Sequence, residues 1–144
     1  LYDDGEFRMS DAMAVVAEYL HHVWTDGDVE ACDRFLTPKY TIHHDPGDPW
    51  DGKTLTLAEF KERVRVSRAP FPDQKFHMEM MLEDPNRVAV AWRWTGTFAA
   101  DLPPFKATGK PVSMTGITIY YMVNDRIAGH WQVVDRLTLL RQLK

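Results

Sequence analysis

Apolar residues recur at helical spacing in the first half of the chain and alternate with polar ones in the second. Met13, Val16, Ala17, Leu20 and Trp24 follow Ser10, whose hydroxyl can satisfy an orphan backbone N–H of a first turn. Gly27 marks the end of this helix. A second short helix is expected from Asp28, with Val29, Cys32 and Leu36 on one face and Pro38 ending it. Tyr40 to His44 reads as a short strand, and Asp45 to Gly52 is turn chemistry almost throughout. Thr56 and Glu59 have capping-box spacing, opening a third helix with Leu57, Phe60 and Val64 inward and Pro70 and Pro72 beyond its end.

The period then becomes two. Phe76, Met78, Met80 and Leu82 alternate with His77, Glu79 and Met81, as on a half-buried strand. Asp84-Pro85-Asn86 turns into a strand over 88–98, and a Pro- and Gly-rich loop leads to a long strand over 112–123. Asn124-Asp125 is a tight hairpin signal before a last strand over 127–134, and residues 136–143 suit a final helical turn or two. Helices first and a hairpin-linked meander later predict an α+β fold: three N-terminal helices on a mostly antiparallel sheet, one domain over residues 1–144.

Composition narrows the class. Apolar residues make up 44% and charged residues 26%, which excludes a disordered chain. A net charge of -4 argues against general nucleic-acid binding, which needs clustered Lys and Arg. No stretch approaches the roughly 18 apolar residues of a membrane span. The start lacks the charged-then-apolar order of a signal peptide, and a cytoplasmic location is the default expectation. The single cysteine, Cys32, reads as a buried structural thiol.

Three stretches carry a likeness beyond the element order: Pro38-Lys39-Tyr40 with His44-Asp45-Pro46-Gly47; Pro103-Pro104 with Thr108-Gly109-Lys110-Pro111-Val112 and Thr115-Gly116-Ile117; and Ile127 to Leu137, centred on Gly129-His130-Trp131-Gln132. Together they resemble the SnoaL-like polyketide cyclases of the nuclear-transport-factor-like superfamily. The resemblance implies a cone whose helices close one side of a strongly curved sheet around an internal pocket, and a homodimer. It also implies cofactor-free aldol ring closure on aromatic polyketide esters. There an acidic residue directly after the His-Trp-like pair removes a carbon-bound proton, and polar groups hold the enolate. In this chain that position is Gln132, an amide, which can donate and accept hydrogen bonds but cannot act as a base near neutral pH.

His130, Gln132 and Val134 share one face of their strand, which the resemblance turns to the pocket, with Thr118 and Tyr120 at matching polar positions on the preceding strand. His130 is the natural replacement base, since an unperturbed imidazole titrates at about 6.5. Gln132, Tyr120 and Thr118 would hold the enolate oxygen. Asp135 is either a displaced acid in contact with substrate or the N-cap of the terminal helix. Of the adjacent His43 and His44, His44 matches the family pattern as the pocket-lining one. With Asp45, Asp48 and Asp51 these histidines fit no metal motif, and no metal or cofactor is expected. Trp92, Trp94 and Met114 suit both a core and a broad apolar pocket, while Arg93, on the opposite strand face from the tryptophans, is expected outward.

Three accounts of function follow. The first is carbon-acid activation of an apolar ketone or polyketide-like molecule by a cyclase or related lyase or isomerase. The second is a non-catalytic small-molecule binding protein, which the amide at position 132 favours. The third is epoxide opening by activated water, for which Arg93 and Asp135 are present but a second suitably placed Asp is not.

Overall fold

The structure, a computed structural model, describes residues 9–144 and the paired backbone of β1 (Tyr2–Asp3) and β2 (Glu6–Phe7). The rest of the expected loose lead-in lies outside the described residues.

The Ser10 hydroxyl accepts from the Met13 amide at 3.2 Å and starts α1 (Asp11–Tyr19). The helix then widens into a π turn, Leu20–Thr25. Its i-to-i+5 spacing sets Trp24 beside Tyr19, so that the indole N–H donates to the Tyr19 hydroxyl at 2.7 Å. Gly27 closes the segment at φ 76°. The second helix is shorter than its spacing predicts: a 3-10 turn (Val29–Ala31) and α2 (Cys32–Phe35) give way at Leu36 to β3 (Leu36–His44). Pro38 therefore lies inside a strand. It falls in the irregular stretch between the Leu36–Ile127 and Thr41–Gly129 pairs, where a missing N–H interrupts little of the ladder. Cys32 is fully buried, and burial pushes its thiol up to about 11, as befits a structural cysteine.

β4 (Thr54–Thr56) runs into α3 (Leu57–Arg68) through the expected capping box. β5 (Lys75–Asp84), β6 (Arg87–Thr97), β7 (Pro111–Val123) and β8 (Arg126–Val134) follow as an antiparallel meander. Asn124 and Asp125 turn its last hairpin at φ 49° and 65°. β3 joins β8 in parallel, giving a mixed six-stranded sheet in the order β4-β3-β8-β7-β6-β5. α4 (Arg136–Gln142) closes the chain. The architecture is the predicted α+β one. No helix of the described residues is long and apolar enough to cross a membrane.

One face of the sheet packs against the helices through Val88, Val90, Trp92, Trp94, Val112 and Tyr120. A bulge in β5 between Met78 and Met80 resets its alternation, so Met81 packs inward and Met80 and Leu82, expected inside, are 59% and 61% exposed. They continue two apolar rows across the outer face: Met80, Ala91, Ile117, Val133 and Leu82, Ala89, Ile119, Trp131.

Candidate active site

Between the helices and the inner sheet face lies a cavity of about 220 Å³. Trp24, Phe71, Phe76, Trp92, Trp94 and Met114 make its apolar wall; Asp48, Arg63, His130, Gln132 and Arg136 make its polar end.

The polar end is built around Asp45, which is fully buried. Its Oδ2 accepts from Gln132 Nε2 at 2.7 Å, His130 Nε2 at 2.9 Å and Arg63 Nη2 at 3.3 Å; its Oδ1 accepts from Arg136 Nη2 at 2.9 Å. Burial alone would raise this carboxyl. The His130 hydrogen bond and the charges of Arg63 and Arg136 outweigh burial and hold it below the usual carboxylate range. Arg136 reaches it across Gly47, whose φ is 95° and whose missing side chain leaves the room: a Cβ there would sit 2.8 Å from Arg136 Cδ.

The directions of the hydrogen bonds follow from one donor-only group. The Trp92 indole N–H can only donate, and it does so to Thr118 Oγ1 at 2.8 Å. The Thr118 hydroxyl then donates to Gln132 Oε1 at 2.7 Å, which turns the Gln132 NH₂ towards Asp45. The Trp92 ring itself lies over Gly116, where an added Cβ would come 2.3 Å from Cζ2. On the other side, His130 gives its Nε2 hydrogen to an ionised carboxylate, so Nδ1 is the acceptor and takes the Tyr40 hydroxyl hydrogen at 2.7 Å. Burial pushes the His130 imidazole below its ordinary value against the pull of Asp45, and burial raises the phenols of Tyr40 and Tyr120. His130 is thus a neutral imidazole with both nitrogens engaged.

Of the residues singled out by sequence, His130, Gln132, Tyr120, Trp92 and Met114 line the cavity, and Thr118 stands directly behind Gln132. Two lie elsewhere. His44 does not line the cavity but stacks on Trp131, with ring centroids 4.4 Å apart, because a register shift in β3 between Ile42 and His44 breaks the alternation. Asp135 is the N-cap of α4, accepting from the Thr138 amide at 3.1 Å and its hydroxyl at 2.7 Å, and is likewise no part of the lining. Arg93 points outward and pairs with Glu79 at 3.1 Å.

Asp45, Asp48, Arg63 and Arg136 escaped the sequence reading. The signal for Arg63 was present: it shares the inner stripe of α3 with Phe60 and Val64. Asp45 stood in a stretch that carries the family likeness, but it reads as a turn residue there, and only the same register shift carries it inside. Among the described residues, the side chains placed to share one metal ion are His21, His22 and Asp26, none of which lines the cavity.

Residues 14–143 match the SnoaL-like polyketide cyclase family. A solved structure from Acidithiobacillus ferrooxidans, classed as a polyketide cyclase, is 43% identical, with a TM-score of 0.92 over 96% of this chain and 97% of that one. IdmH of Streptomyces antibioticus, also classed as a polyketide cyclase, is 23% identical with a TM-score of 0.78 over 93% of this chain and 99% of its own. AclR of Streptomyces galilaeus, classed as a hydroxylase, is 19% identical with a TM-score of 0.78 over 94% and 97%. These last two speak for the fold alone. No curated protein matches the chain in sequence. With nearly its whole length matched, the chain belongs to the SnoaL-like polyketide cyclase family.

Proposed function

We propose that the protein acts without a cofactor on an apolar, carbonyl-bearing small molecule, removing a proton from the carbon next to the carbonyl, as an aldol-type cyclase or a related lyase or isomerase. The observation that carries this reading is a carboxylate at the polar end of a cavity whose other wall is aromatic. Asp48 is the one acidic group among the described residues lining the cavity, with its side chain 9% exposed. It accepts from Arg63 Nη2 at 3.0 Å and from the Trp50 amide at 2.8 Å, which leaves lone pairs on both oxygens. In the proposed step the C–H bond breaks, its proton goes to Asp48, and its electron pair moves onto the carbonyl oxygen. The enolate carbon then bonds a second carbonyl carbon of the same molecule, whose oxygen takes the proton back from Asp48; in an isomerase, an enolate conjugated with a C=C bond takes that proton back at the far carbon of the conjugated system instead. In this reading Tyr120, which lines the cavity and whose phenol burial keeps protonated, donates to the oxygen. The base expected at His130 gives way to Asp48 because both His130 nitrogens are spent inside the protein.

That same engagement supports a second reading, a binding protein without turnover, because the hydrogen bonds of Gln132 and His130 go to Asp45, Thr118 and Tyr40. Small cyclic ketones and β-keto esters in heavy water separate the two. Deuterium entering the carbon next to the carbonyl above the buffer rate, followed by NMR, is the expected result. Bound compounds without exchange would leave the binding protein.

We also propose, as the family likeness implies, that a second copy covers the apolar rows of the outer sheet face. Ile117 and Val133, at 56% and 52% exposure, sit side by side there. Light scattering should give a dimer for the native chain and a monomer for I117E/V133E. A monomeric native chain at micromolar concentration would contradict this.

A further inference from the structure

The polar end of the cavity contains a cation with unused donors. A guanidinium carries five N–H groups. On Arg63 the two of Nη2 go to Asp45 at 3.3 Å and Asp48 at 3.0 Å. Nε is buried and meets no acceptor among the described residues. Nη1 has no hydrogen bond to any of them either. The residue is only 4% exposed, yet it lines the cavity. Its carbon centre lies 5.3 Å from the Trp24 ring centroid and 5.5 Å from that of Phe60, so aromatic rings pack against it as well. Nε is closed off from the cavity as it is from solvent, so Nη1 is the end of the guanidinium left for an acceptor there. A donor on the wall of a largely apolar cavity is seldom left unpaired, which points the Nη1 N–H groups at whatever occupies the cavity.

Charge decides what kind of acceptor. The cluster contains two carboxylates, Asp45 and Asp48, and two guanidinia, the buried Arg63 and the partly exposed Arg136, while His130 is neutral. Its sum is zero. An added anion would be a surplus charge out of water, which only pairing would offset. An uncharged oxygen takes the free N–H groups at no such cost.

We propose that Arg63 anchors an uncharged carbonyl oxygen of the ligand, a ketone or an ester, and thereby selects neutral oxygen-bearing molecules over hydrocarbons and over carboxylates. This rests on the reading that the cavity is the ligand site. It also fits the proposed step: when Asp48 takes the proton, the negative charge passes to an oxygen on the same guanidinium, and the sum of charges is unchanged.

Three matched probes test it: methyl 2-naphthoate, 2-naphthoate and 2-ethylnaphthalene, titrated while the Trp24 and Trp92 indole N–H signals are followed by NMR. The ester should bind about ten-fold or more tighter than either of the others. R63K keeps a cation for Asp45 and Asp48 but removes Nε and Nη1. In it the ester's advantage over the hydrocarbon should fall to about three-fold or less, with hydrocarbon affinity unchanged. Equal binding of ester and hydrocarbon to the native chain would overturn the proposal, as would a carboxylate that binds best; both outcomes leave the cavity as the ligand site. Binding of none of the three would overturn that underlying reading as well. The native-chain comparison decides the matter even where R63K fails to fold.

Discussion

Asp45→Asn should lower the unfolding free energy by about 3–5 kcal/mol at pH 7, the usual cost of removing one partner from a buried ion pair. Four donors converge on this side chain: Arg63, His130, Gln132 and Arg136. An asparagine there offers one acceptor oxygen, and turns an NH₂ group of its own towards donors. Arg63, at 4% exposure, would then share its charge with Asp48 alone. Urea unfolding at pH 7 measures the loss; a change under about 1 kcal/mol, the scale of a single helix cap, would mean that the network contributes little. The pH dependence carries the same signature. The native Asp45 carboxyl titrates below its unfolded value of about 3.9, so its contribution is complete above that value and is lost as pH falls through the native one. His130 is also depressed, so protonation of the unfolded chain erodes stability as pH falls below about 6.5. Both act in one direction, towards acid lability, and the asparagine variant lacks the Asp45 part of it.

Gln132→Glu, which puts a carboxyl at the position where the resemblance expects the family's acid, should destabilise the protein and not activate it. One of its oxygens would replace Nε2, which lies 2.7 Å from Asp45 Oδ2. Two carboxylates that close cannot both ionise freely, so the introduced group's pKa is raised in the folded state. A raised folded pKa leaves stability intact below the unfolded value of about 4.3 and removes it as pH rises through the folded one. A tenfold change in proton affinity is worth about 1.4 kcal/mol, and a close like charge shifts a carboxyl about a hundredfold or more. The variant should therefore match the native chain near pH 4 and fall about 3 kcal/mol below it at pH 8. Equal stability at pH 8 would show that a second charge is accepted beside Asp45, and the case for Asp45 as an ionised carboxylate whose donors are all committed to it would fail.

Both results turn on how the chain moved its carboxylate. The shift of period from helical to two made the order of elements readable, and Ser10, Thr56 with Glu59, and Asn124-Asp125 placed caps and a hairpin where the structure has them. The inner residues of β7 and β8 were readable too, because an uninterrupted alternation ties Thr118 and Tyr120 to Gln132 and His130 across one ladder. What failed to show were breaks in alternation. The register shift in β3 sends His44 to the outer side and brings Asp45 in; the bulge in β5 sends Met80 and Leu82 out. A shift of one residue exchanges the two faces of a strand, and no local composition announces it. Arg63 stayed hidden for another reason. A charge on an inner helical stripe makes sense only once its partners, Asp45 and Asp48 from the loop before β4, are seen to fold over it.

In the proposed function the cavity's proton acceptor is Asp48, with His130 and Asp45 as the framework behind it. Deuterium exchange on a small cyclic ketone, compared between the native chain, Asp48→Asn and His130→Gln, tests it most directly. Exchange is expected in the native chain, with a fall to the buffer rate in Asp48→Asn and retained exchange in whatever fraction of His130→Gln is folded. Exchange that persists in Asp48→Asn and vanishes in folded His130→Gln would contradict it and return the role of base to the histidine.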